Sequence, residues 1–167
     1  MRKNWLAGLI AAVVGFTALG LAPAYAVDER VIDVVEVTWA GAPAPAGDAK
    51  KVASVIDTEV NADWKKYTTM YGDTKDRTVS FKTGKVLETQ ITLVSKMACI
   101  GFASSEFMRS IRPEAYSRLG ITDYSERYLV VVAPKAGCVW SGRAQLGGAK
   151  SKSGTLILHD SDSSFVI

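Results

Sequence analysis

Apolar and polar positions along this chain fall into stretches of different period, and the periods assign the elements. Between Val31 and Ala40 the apolar residues are Val31, Ile32, Val34, Val35, Val37 and Trp39, with Asp33 and Glu36 between them. This imperfect alternation predicts a first strand. Gly41 to Gly47 follows with the pattern Gly-Ala-Pro-Ala-Pro-Ala-Gly, a strand-to-helix loop of ordinary length. Apolar side chains then recur at Val52, Val55, Ile56, Val60, Trp64 and Tyr67, while Lys50, Lys51, Glu59, Lys65 and Lys66 lie off that line. The spacing predicts an amphipathic helix capped by Asp48 and ended by Tyr71-Gly72-Asp73. Trp64 and Tyr67 are assigned to its core face rather than to a binding platform. Thr78–Phe81 and Val86–Val94 alternate on either side of Thr83-Gly84, as a hairpin or as one bent strand.

Ser104 or Ser105 is placed to cap a second helix bearing Phe107, Met108 and Ile111. Pro113 is expected to break or restart it, and Leu119-Gly120 to end it. Tyr128–Ala133 is an unbroken apolar run rich in valine, which predicts a strand buried on both faces of a sheet. Pro134 stops it, because proline cannot donate to a ladder. A Gly-rich excursion through Cys138, Trp140 and Gly147-Gly148 leads to a second β-type run, Thr155–His159. Asp160-Ser-Asp-Ser-Ser164 is dense in helix-capping residues, and Phe165-Val166-Ile167 has the look of a first helical turn. Strands alternating with helices predict an α/β domain with a mixed, mostly parallel sheet.

The amino terminus changes the picture of where this domain works. Met1-Arg2-Lys3-Asn4 is a basic head, Trp5–Leu21 is apolar apart from Thr17, and Ala24-Tyr25-Ala26 supplies small residues for cleavage. Residues 1–26 are therefore expected to be a secretory signal peptide, leaving 27–167 as one secreted, extracellular domain. An uncleaved anchor is the alternative; Gly8, Gly15, Gly20 and Pro23 weaken a spanning helix, and no basic flank follows. Arg2 and Lys3 leave with the signal and no acid does, so 20 basic residues become 18 against 17 acidic ones. A balance near neutrality, with no basic block, argues against nucleic acid as a partner and against stable membrane association after cleavage.

Candidate chemistry is sparse. His159 is the single histidine, too few for a zinc site of three or four converging ligands or for a nucleophile–histidine arrangement. Asp160–Ser164 begins like an EF-hand loop, but its sixth position is Phe165 rather than glycine. The Gly-rich stretch 137–148 lacks the Gly-Lys-Ser/Thr of a phosphate loop. Cys99 and Cys138 are the two cysteines, 39 positions apart and far from any Cys-x-x-Cys spacing. In a secreted chain a pair most simply forms one disulfide, with two buried thiols as the alternative.

Taken in order, Tyr128–Pro134, the Cys138-x-Trp140-x-Gly142-x-Ala144 segment, Gly147-Gly148, Thr155–His159 and Ser163–Ile167 resemble the upper half of a secreted zinc metalloprotease of the metzincin group, gametolysin-like branch. The resemblance implies a zincin-like upper subdomain with an antiparallel edge strand and two helices, incomplete at its carboxyl end because the His-Glu-x-x-His helix would come next. It implies a cysteine before the second helix and another after the buried strand, the positions of Cys99 and Cys138. It implies that Thr155, Leu156, Ile157, Leu158 and His159 form the edge strand that pairs with a peptide or protein substrate. Zinc is expected only in a complete homologue, where it would serve peptide-bond hydrolysis; this chain itself is expected to be inactive and poorly stable, with Tyr128–Ala133 laid bare for want of the missing helix. A secreted non-catalytic binding or inhibitory α/β module is the alternative function.

Overall fold

The computed structural model describes residues 26–43, 49–71, 77–96, 99–102, 104–134, 142–146 and 152–159. The elements in chain order are β1 (Ala26–Thr38), a helical run made of α1 (Ala49–Val55), a π-helical turn (Ile56–Val60) and α2 (Asn61–Tyr71), then β2 (Arg77–Val86) and β3 (Ile91–Thr92). They continue with a short α3 (Cys99–Phe102), α4 (Ser105–Arg118), β4 (Arg127–Ala133), β5 (Gly142–Leu146) and β6 (Gly154–His159). The architecture is α/β: a mixed, mostly parallel six-stranded sheet and two long helices. Strand order is β2-β1-β4-β6-β5, with β3 also on β1. All pairings are parallel except β5 with β6, which is antiparallel.

The central strands read as they do because both their faces are covered. Val35, Val37, Leu129, Val131, Ala133 and Ile157 pack beneath α4 with Phe107, Met108, Ile111, Ala115 and Tyr116. Ile32, Val34, Val130, Val132 and Leu158 pack on the other face against Ala49, Val52, Ala53 and Ile56. The expected exposure of Tyr128–Ala133 is therefore overturned: Leu129–Ala133 are all buried, since a helix lies on each side.

Tertiary contacts decide several local readings. Of the hairpin and the bent strand, Thr83-Gly84 takes the second: β2 runs through it, and β3 is a separate two-residue strand that follows on β1. Pro113 does not break α4, which is continuous over Ser105–Arg118. Pro113 and Arg109, whose carbonyl loses its partner, both face solvent, where water can take up that acceptor. The helix starts at Ser104, whose hydroxyl accepts from Phe107 N at 3.1 Å. It ends on Gly120 at φ 64°, with Ile121 N on Tyr116 O and Gly120 N on Ser117 O, the double closure that wants a residue without Cβ. Finally, Trp64 and Tyr67 are 42% and 59% exposed rather than core. The π-turn shifts the helical phase, so the apolar line that begins at Val52 moves after Val60 to the rim of the sheet, where Trp64 meets Phe81 of β2. The proposed Asp48 cap lies outside the described residues; Glu36 of β1 accepts from Ala49 N at 2.5 Å.

Candidate functional site: the two edges of the sheet

A sheet presents chemistry along its edges, where backbone N–H and C=O groups lack a strand neighbour. The expected edge strand, Thr155–His159, is not one. β6 is held by β4 along Leu129↔Thr155 to Ala133↔His159 and by β5 along Gly142↔Leu158 to Leu146↔Gly154. Its five residues are accordingly withdrawn from solvent. Thr155, Ile157, Leu158 and His159 are buried and Leu156 is half-buried in the second core cluster. The antiparallel edge strand is β5, read from sequence only as a Gly-rich excursion. Too short for its alternation to register, it becomes a strand because β6 offers it a ladder.

Gly142 is what brings β5 so close. A Cβ there would lie 3.0 Å from Leu158 Cδ2 and 3.3 Å from the Ile157 carbonyl oxygen, tighter than packed carbons tolerate without adjustment. Gly142, Arg143 and Ala144 are exposed, and among the described residues no strand covers the outer side of β5.

The opposite edge, β2, is different. Val79 N donates to Thr68 Oγ1 at 3.1 Å, Phe81 N to Asn61 Oδ1 at 3.1 Å and Thr83 N to Asp57 Oδ1 at 2.6 Å. The helical run thus satisfies alternate outward amides of β2 with side-chain oxygens.

His159 closes the end of β6. Its ring packs edge-on to Phe102 with centroids 4.8 Å apart, and Nδ1 lies 3.3 Å from the Pro134 carbonyl. A carbonyl can only accept, so Nδ1 carries a proton. Burial pushes its pKa below the ordinary 6.5, against the smaller opposing pull of the Pro134 carbonyl. A ring so placed is a packing residue, not a ligand presented to a cleft. Among the described residues no group of three or more His, Cys, Asp or Glu converges to hold a metal. The Cys99–Cys138 pairing and the Asp160–Ser164 segment lie outside the described residues and side chains.

The polar centre of the sheet escaped sequence reasoning. Asp33, on β1, is fully buried. Its Oδ1 accepts from Arg127 Nη2 at 2.6 Å and from Lys85 N at 2.7 Å, and its Oδ2 accepts from Arg127 Nε at 2.7 Å. An acid set between apolar neighbours, Ile32 and Val34, was the available signal. Comparison with known proteins returns no match, whether to a family model, a curated protein or a solved structure.

Proposed function

We propose that this chain is the sheet-forming, amino-terminal part of a secreted metzincin-like metalloendopeptidase of the gametolysin-like branch, and that its own contribution is the strand edge on which an extended substrate lies. The observation that carries this reading is the arrangement of the sheet: a run of parallel strands finished by one antiparallel strand with no further strand beside it among the described residues. With Thr155–His159 enclosed, the substrate-pairing role passes to Gly142–Leu146. An extended peptide laid along β5 would gain main-chain hydrogen bonds from the ladder and selectivity from side-chain sites at alternate positions. Arg143 and Gln145 would face one side of such a peptide, and Ala144 the other.

In the family this reading invokes, zinc polarises the scissile carbonyl and activates a water. The described residues do not fit that ion: His159 is committed to the Pro134 carbonyl and to Phe102. The chain's part is thus binding and orientation, and no hydrolytic step is assigned to it. Secretion belongs to the same reading. Cleavage after Ala26 would remove the first residue of β1 and its pairing Ala26↔Arg77, and keep the pairing from Val27↔Thr78 onward.

The test adds extended synthetic peptides to the full chain and follows amide hydrogen exchange. Protection should appear at 142–146, and Ala144→Pro, which forbids a straight ladder at that edge, should abolish it. Peptide binding that leaves β5 amides unchanged would refute the edge assignment. Stoichiometric, tight zinc binding, or chelator-sensitive peptide cleavage by this chain, would refute the limitation to binding. A non-catalytic binding or inhibitory module would use the same edge; protection of β5 by a peptide that the chain instead shields from an added protease favours that reading.

A further inference from the structure

The closure of β2 is regular enough to carry its own inference, one that does not rest on the peptidase reading. Asp57, Asn61 and Thr68 stand four and seven residues apart. In a helix of 3.6 residues per turn these steps return a side chain to within about 40° of the same line. The π-turn over Ile56–Val60, with its wider turn, trims the drift of the first step. Three oxygens are thereby strung along one line of the helical run and meet amides at Thr83, Phe81 and Val79 in descending order. The contacts are braced. Thr68 Oγ1 donates its own proton to Trp64 O at 2.8 Å, leaving lone pairs for Val79 N. Thr83 Oγ1 donates to Ala53 O at 3.0 Å, tying the strand back to the helix. Trp64 stands edge-on to Phe81 with centroids 5.6 Å apart.

The next amide in the series shows where the device stops. β1 and β2 slip register between Ile32↔Thr83 and Val34↔Val86, so Gly84 and Lys85 together face Asp33. That bulge turns Lys85 N inward to Asp33 Oδ1 at 2.7 Å. From Val79 to Lys85, then, no alternate amide of β2 is left for an incoming strand.

We propose that Asp57, Asn61 and Thr68 act as a side-chain substitute for a neighbouring strand, closing β2 against the open β5 edge of a second copy of this chain. A sheet with one accepting and one offered edge can add head to tail without closing, which gives open-ended assemblies. Closing β2 leaves β5 as the strand-accepting edge and keeps copies from polymerising on each other.

The experiment has two arms on the full chain. In the first, hydrogen exchange should show Val79, Phe81 and Thr83 amides protected although they lie on an outer strand, and Asn61→Ala should speed exchange at Phe81 at least tenfold while sparing Val34 and Val131. Rapid exchange at these amides in the unaltered chain would overturn the proposal. In the second, the triple variant Asp57→Ala, Asn61→Ala, Thr68→Val should shift from its native size to concentration-dependent larger species. A synthetic peptide of the β2 sequence, Arg77–Val86, added in excess should occupy β5 and halt that growth. A triple variant with native circular dichroism and unchanged size at all concentrations would overturn the proposal; if the triple variant does not fold, the single-residue exchange arm decides.

Discussion

Burying a carboxylate in the middle of a sheet costs several kcal/mol unless it is paired and hydrogen-bonded. Asp33 meets both conditions, through the two-pronged Arg127 contact and the Lys85 amide. Gly84 makes room for it. A Cβ there would sit 2.5 Å from Arg127 Nη2 and 2.6 Å from Val31 Cγ1, and closer still to Asp33 Oδ1. Asp33→Ala strands the Arg127 charge and should cost about 3–5 kcal/mol, and Gly84→Ala about 1–3 kcal/mol through overpacking; urea unfolding of each variant checks both, and wild-type stability in either would contradict the assignment. His159 adds a pH dependence. Its folded pKa is below the ordinary 6.5 because the ring is buried, so below that pH the unfolded chain binds a proton that the folded chain refuses. Stability is therefore full above about pH 7 and falls as pH drops through 6.5. The melting temperature between pH 7.5 and 5.5 should decline more steeply for the unaltered chain than for His159→Gln; equal slopes would exclude His159 as the source.

Among the elements, α4 is positioned by one guanidinium. Arg112 Nη1 donates to the Gly154 carbonyl at 2.6 Å, and Nη2 to the carbonyls of Tyr124 and Arg127 at 3.2 and 3.3 Å. The Tyr116 and Tyr124 rings, stacked at 4.3 Å, present their faces to it at 5.3 and 5.4 Å. One side chain thereby ties the helix to the starts of β4 and β6. Lysine keeps the charge but lacks the planar fork, so Arg112→Lys should lose about 2 kcal/mol. Exchange at the first amides of β6 should rise with it; an unchanged melt would show that the carbonyls find other donors. The boundaries of this helix were legible, since Ser104 and Gly120 carry cap chemistry in their own residue types. Its passage through Pro113 was not, because the proline's tolerance depends on which face it occupies.

At the scale of the whole molecule, the sheet separates two cores, and neighbouring valines of β4 point to different ones. The face under α4 holds Phe102, Met108, Tyr116, Leu129 and Ile157, all under 3% exposed. The face under α1 retains an apolar cavity of about 40 Å³ lined by Ile32, Val52, Val55, Ile56, Val60, Val130, Leu156 and Leu158. The π-turn sits on that cavity, where the helix departs from the regular ridge that would fill it. Neighbouring valines on β4 should report the difference. Val130→Ile, pointing at the cavity, should be neutral or stabilising by up to about 1 kcal/mol, whereas Val131→Ile, fully buried on the other face, should cost about 1–3 kcal/mol. Thermal melts of the pair check this, and equal effects would place the cavity elsewhere.

The chain's own residue pattern determined the mostly parallel α/β class, the two-faced apolar character of the valine strand and the bounds of α4. These follow from period, composition and cap chemistry, which are properties of neighbours in sequence. Only the tertiary structure decided which strand lies at the edge. Thr155–His159 and Gly142–Leu146 trade places in the sheet because pairing is chosen by distant partners, β4 and β5 for the first and β6 alone for the second. It also decided that Trp64 leaves the core, that Glu36 caps α1, and that Asp57, Asn61 and Thr68 close β2. Asp33 could be seen as an anomaly in its strand, but Arg127 as its partner lies 94 positions away. Contacts at such separations leave no local period; they exist only once the chain has folded, when the cost of an unpaired buried polar group selects the partner within reach.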